Sequence, residues 1–210
     1  MNPSTAPAFL AGMVLSLSLI MAIGPQNAHV IRMGLLRQHL WLTVSVCVAT
    51  DMALIAAGVA GLAQLANVSG KLLGAMTGAG ALLLLLYGAQ ALRRCLRPPT
   101  AQRPGQGARA PVTRREALGL ALALSWLNPH AWLDTAVLIG TASLAYAQPD
   151  NTVFGLGAAT GSLLWFSALG AAMGLLGPRL DSPRVWRALD ALVAVMMWAT
   201  AGWLLAGLLH

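Results

Sequence analysis

A chain of 210 residues with 58% hydrophobic residues, 9% charged residues and a formal charge of +7 cannot clothe a soluble surface, because an ordinary globular domain carries about 25% charged residues. The composition excludes a water-facing domain and implies one membrane-embedded unit over residues 1–210. The positive charge sits in short connections between apolar runs, which is an orientation signal and not a nucleic-acid surface.

The first apolar run starts near Ala8 with no Lys or Arg before it, so it reads as a retained span and not as a secretory signal. A bilayer core of about 30 Å takes roughly 20 helical residues. Runs of that length fall at about 8–31, 40–63, 72–92, 117–145, 153–176 and 187–208. They are continuous where barrel strands would alternate, so the predicted fold is an all-α membrane protein of six transmembrane helices.

The first run is interrupted by Gly24-Pro25-Gln26-Asn27, and the second carries Asp51 about halfway along. The third opens with Gly70, Gly74 and Gly78 at helix-packing spacing. A loop at about 93–115 follows, rich in arginine, proline and glycine, with too few apolar residues to build a core. It is expected to anchor to anionic headgroups. The fourth run is broken at Asn128-Pro129-His130 and places Asp134 one turn beyond His130, on the same face. The fifth has Gly157/Gly161 and Gly170/Gly174. Such spacing permits close backbone approach within or between chains, which leaves a homodimer open. The sixth has Asp190 near its start, close to Arg187. Cys47 and Cys95 are isolated and predict neither a disulfide framework nor a zinc site.

All twelve arginines fall around the first, third and fifth connections, whereas the second has only Lys71 and the fourth only Asp150. The positive-inside rule makes the arginine side cytoplasmic, with both termini outside. Both interrupted runs put a proline beside polar side chains at membrane depth. Three spans separate the breaks, which is the pattern of a 3+3 inverted repeat with proline-broken first and fourth helices.

Asp51 and Asp134 are the acidic groups deep in the membrane. A central Asp costs about 2.5–3.5 kcal/mol to insert, and such residues face a cavity or pair with something. No Lys or Arg lies near the middle of a predicted span, and His130 is a cation only when protonated. Two carboxylates in a core without fixed cations form a trap for a positive ligand, and a guanidinium suits it by bidentate contact. The helix starts after Pro25 and Pro129 supply the complementary half: unpaired N–H groups and a positive dipole end for a carboxylate. Gln26, Asn27 and Asn128 can complete the hydrogen bonds, or they re-satisfy backbone groups freed by the prolines. Trp132 and Trp165 are candidates to line a pathway through cation–π contact.

Gly24-Pro25-Gln26-Asn27-Ala28, Asp51, and the stretch Trp126-Leu127-Asn128-Pro129-His130-Ala131-Trp132-Leu133-Asp134-Thr135 together resemble the LysE/ArgO family of basic amino-acid exporters, over essentially the whole chain. The resemblance implies export of L-arginine and/or L-lysine across the bacterial cytoplasmic membrane, with the family's functional positions on Asn27, Asp51 and Asp134. Related exporters of neutral amino acids typically carry Lys after the Asn-Pro break, and His130 in that place favours the cationic branch.

The expected mechanism is alternating access, with substrate and proton exchanging on Asp51 and Asp134. Exchange for an incoming proton would cancel the cost of about 2.3 kcal/mol for moving a charge outward against 100 mV. The expected partners are the amino acid, protons and membrane lipids; no cofactor, resident metal, nucleic acid or catalytic residue is called for. The rival reading is an exporter of a divalent metal or other small cation using Asp51, His130 and Asp134, with no second histidine or cysteine cluster to strengthen it. An intramembrane enzyme lacks a nucleophile arrangement and an HExxH motif.

Overall fold

The computed structural model describes residues 5–21, 24–62, 70–96, 112–128, 131–180 and 182–209. In chain order it contains α1 (Thr5–Ile20), α2 (Pro25–Leu36), α3 (Leu40–Ala57), α4 (Gly70–Leu96), α5 (Arg114–Trp126), α6 (Ile139–Ser143), α7 (Asp150–Leu180) and α8 (Pro183–Leu209). A wider π-helical segment extends α3 over Gly58–Leu62, and another leads into α6 over Trp132–Leu138. There is no strand among the described residues. In lipid a backbone must satisfy its own polar groups, and helices do so within one segment. Pro129, His130 and Asp181 lie outside the described residues, as does the part of the basic loop at 97–111.

Among the described residues, three helical stretches are long and apolar enough to cross a membrane: Leu40–Gly61, Asp150–Gly177 and Pro183–Trp203. The pair α1 and α2 makes a fourth if it counts as one span, bent by 72°. α7 has 31 residues, roughly 45 Å at about 1.5 Å per residue, so it outreaches a hydrocarbon core of about 30 Å.

The break between α1 and α2 has a local cause. Gly24 is the extended N-cap of α2, and Pro25 takes its first position, where a missing N–H costs nothing and φ is already helical. At the other break α5 ends at Trp126, and the amides of Ala131 and Trp132 turn back to the Asn128 carbonyl at 3.0 and 3.4 Å. The chain then resumes as a π segment, a form that recurs at functional sites in helical proteins. The start of α5 is set by a capping box: Thr113 Oγ1 accepts from the Glu116 amide at 3.2 Å, and Glu116 Oε2 accepts from the Thr113 amide at 2.7 Å.

Two long pairs frame the bundle, α1 along α7 and α4 along α8, with α2 in contact with α3, α5, α7 and α8. One core cluster joins α2, α4, α5, α7 and α8 around Leu84, Tyr87, Leu124 and Met197. A second joins α1, α3, α6 and α7 around Ile55, Ile139 and Phe154, and a third buries Val30, Val44, Cys47 and Phe166. The glycine spacing on α7 is used inside the chain: a Cβ on Gly157 would collide with the Phe9 backbone, and one on Gly161 would lie 2.9 Å from the Met13 carbonyl oxygen. Gly78 on α4 has open space instead. The π segments also meet through small residues, with Gly58 against the backbone of Ala136 and Gly140 against that of Gly58.

Asp190 does not find its partner in the neighbouring Arg187. Its Oδ1 accepts from Arg32 Nη1 of α2 at 3.1 Å and from Arg94 Nε of α4 at 2.9 Å. The Arg32 guanidinium also lies 5.8 Å from the Trp186 ring centroid, and that of Arg94 5.8 Å from Tyr87. This buried cluster ties the ends of three helices together. His29 is 1% exposed within α2, with Nε2 3.4 Å from the Ala117 carbonyl.

Candidate functional site

The two breaks open onto one cavity of about 120 Å³, lined by Gly24, Pro25, Gln26 and Asn27 from the first and by Asn128, Ala131, Asp134 and Thr135 from the second. Asp51 of α3 forms part of its wall, with Leu19, Ile20 and Thr200 completing it. The structure thus gathers Gly24, Pro25, Gln26, Asn27, Asp51, Asn128 and Asp134 from three separate runs of sequence. No Lys or Arg is among the lining residues. Pro129 and His130 lie outside the described residues.

Asp51 is 1% exposed, and its two oxygens have separate donors. Gln26 Nε2 donates to Oδ1 at 3.3 Å, and Ser162 Oγ of α7 donates to Oδ2 at 2.9 Å. Gln26 Nε2 also donates to Ser125 Oγ at 2.8 Å, and that hydroxyl in turn donates to the Ala121 carbonyl at 2.9 Å. α2, α3, α5 and α7 therefore converge on one carboxylate. An ionised carboxylate offers about four acceptor positions, so two such bonds leave capacity for a ligand's donors. No Arg or Lys pairs with Asp51 among the described residues.

Asn27 is buried and does two things at once. Its Nδ2 donates to the Ile20 carbonyl at 2.8 Å, capping the end of α1, while Oδ1 accepts from Trp165 Nε1 at 3.0 Å. Trp165 stands behind the cavity wall and positions Asn27. Trp132 reaches across the second break, where Nε1 donates to the Trp126 carbonyl at 2.9 Å and the two rings meet edge to face at 5.5 Å. Neither indole is among the lining residues.

The α2 terminus adds the opposite polarity. Its first-turn amides have no intrahelical acceptor, and Gly24 supplies no side chain to cap them. The cavity thus sets a positive helix end beside Asp51 and Asp134, a layout suited to a ligand carrying both charges. Among the described residues there is no group of three or more His, Cys, Asp or Glu side chains that could hold a metal ion.

Ser162, Ser125 and Thr200 were not singled out from sequence. Their only signal is a hydroxyl in an apolar run, shared by many serines that merely bond the preceding turn, as Ser18 does to the Val14 carbonyl.

The family model for the LysE type translocator matches residues 17–207. The chain is 36% identical over 193 residues to the arginine exporter protein ArgO of Pectobacterium atrosepticum, spanning 92% of this chain and 94% of that protein. It is 34% identical over 197 residues to the arginine exporter protein ArgO of Salmonella schwarzengrund, spanning 92% and 90%. A Mycobacterium tuberculosis protein named, provisionally, as an amino-acid transporter is 40% identical over 186 residues, spanning 88% and 90%. No solved structure matches.

Proposed function

The chain belongs to the LysE type translocator family of transporters, and from that premise we propose that it exports L-arginine and/or L-lysine across the bacterial cytoplasmic membrane in exchange for protons. The observation that carries this reading is the buried Asp51 carboxylate, which has two hydrogen-bond donors, no cationic partner among the described residues and a cavity in front of it. A cationic side chain supplies the missing charge, and the substrate carboxylate meets the amides of the α2 terminus. Asn128, His130 and Asp134 complete the binding residues from the second break.

Six spans arranged as a 3+3 inverted repeat agree with two breaks that face one cavity. The ends that carry Arg32, Arg94 and Asp190 lie together, which supports one arginine-rich cytoplasmic face and external termini. Transport then proceeds by alternating access. Substrate arrival and carboxylate protonation compete for Asp51 and Asp134, so a proton returns as the amino acid leaves.

The test is efflux of radiolabelled arginine and lysine from proteoliposomes under an imposed pH gradient. The expected result is efflux that the gradient accelerates and that Asp51→Asn removes at equal protein content. Normal efflux by Asp51→Asn would overturn the site; label retained in every case, with divalent cations moving instead, would favour the metal reading.

A further inference from the structure

A second cavity, of about 630 Å³, lies away from the first. Its inner wall is apolar, formed by Gly34, Leu40, Trp41 and Gly174, and Arg37 and Arg114 stand on it as two exposed cations. The wall exists because α7 carries glycine where it faces the start of α3. A Cβ on Gly170 would lie 3.3 Å from the Trp41 ring, and one on Gly174 would lie 3.8 Å from Leu40. Of the two glycines, Gly174 lines the cleft.

The rim is held with care. Arg37 and His39 both adopt left-handed backbone (φ 54 and 51), a conformation that costs non-glycine residues about 1–3 kcal/mol and persists only where the surroundings impose it. The turn is held by the segment that leads into α5: His39 Nε2 lies 2.8 Å from the Val112 carbonyl, and the Val112 amide donates to Gln38 Oε1 at 2.7 Å. Arg37 closes α2 with its amide on the Gly34 carbonyl at 3.0 Å, a place that glycine usually fills. Neither Arg37 nor Arg114 has a carboxylate partner among the described residues. Trp41 is 57% exposed beside them, and exposed indoles in membrane proteins mark the headgroup level.

We infer that this cleft binds an anionic phospholipid, with the phosphate between Arg37 and Arg114 and an acyl chain along Trp41 and Gly174. The charge and the shape agree on that occupant: two uncompensated guanidiniums demand an anion, and an apolar groove at headgroup depth demands a tail. The inference rests on membrane insertion and not on the identity of the transported amino acid.

The full chain, reconstituted in neutral lipid, is titrated with phosphatidylglycerol or phosphatidylcholine carrying brominated acyl chains, and Trp41 emission is isolated by subtracting the Trp41→Phe variant. Quenching by phosphatidylglycerol is expected at roughly fivefold lower lipid fraction for each arginine, from about 1 kcal/mol per basic side chain at a headgroup layer. Arg37→Gln/Arg114→Gln removes that preference while keeping the melting temperature and amino-acid efflux. Gly174→Leu fills the groove and removes it with both arginines present. Equal quenching by the two lipids, or a preference that survives either variant, overturns the cleft as the site; efflux failing in the wild type would leave this result untouched.

Discussion

Ser162 of α7 donates a hydrogen bond to Oδ2 of Asp51 at 2.9 Å, joining two residues that are 0% and 1% exposed. This bond holds the carboxylate toward the cavity and stabilises its ionised form. A hydrogen bond to a charged group contributes about 1.5–3 kcal/mol, so Ser162→Ala should raise the arginine concentration for half-maximal efflux roughly tenfold or more. Melting temperature should also fall, because a buried carboxylate oxygen loses its donor. Unchanged half-saturation would show that Ser162 only packs.

Trp165 acts one turn further along the same helix, through Asn27. Trp165→Phe keeps most of the ring volume and removes only the N–H, so it isolates the bond. Loss of a neutral hydrogen bond at about 1 kcal/mol predicts efflux lowered roughly fivefold, with a larger loss for Asn27→Ala, which also removes the bond to the Ile20 carbonyl. If the double variant is no worse than Asn27→Ala alone, the two residues act as a unit; additive losses would separate them.

The all-helical character and the first break were legible in the sequence, because apolar length and proline are local signals. The first break lies where Gly24-Pro25 places it, for the reason proline takes a helix's first position. Other features were illegible because their causes are distant in sequence. Ser162 gains meaning only from Asp51, 111 residues away. Asp190 is a neighbour of Arg187 on its own helix, yet its partners come from 158 and 96 residues off. The π segments at Gly58–Leu62 and Trp132–Leu138 touch through Gly58 and Ala136, a contact that no periodicity in either stretch reveals.

Among the described residues, Asp190 is the single carboxylate between Arg32 and Arg94, and the buried Arg94 Nη2 has no hydrogen-bond partner. Asp190→Ala would leave two guanidiniums facing one another in a partly buried place. Breaking a buried pair from one side costs about 3–5 kcal/mol. Partial exposure of both arginines, at 18% and 26% of their side chains, puts the expected loss below that range. Thermal unfolding in detergent should show a clear drop for Asp190→Ala, with recovery in Arg94→Met/Asp190→Ala. A neutral Asp190→Ala would mean that water already screens the cluster.

The glycines separate packing from motif. Gly157 and Gly78 both belong to small-residue repeats at four-residue spacing, yet a Cβ at 157 meets the Phe9 carbonyl of α1 and a Cβ at 78 meets nothing within 4 Å. Gly157→Ala must push α1 away from α7, and overpacking of this kind costs about 1–3 kcal/mol. Gly78→Ala removes only backbone freedom in a helix and should stabilise by up to about 1 kcal/mol. Melting curves of the two variants should therefore move in opposite directions. Should Gly78→Ala instead destabilise or shift the protein between oligomeric states, the open face of α4 would be covered by another chain, and the repeat there would serve association.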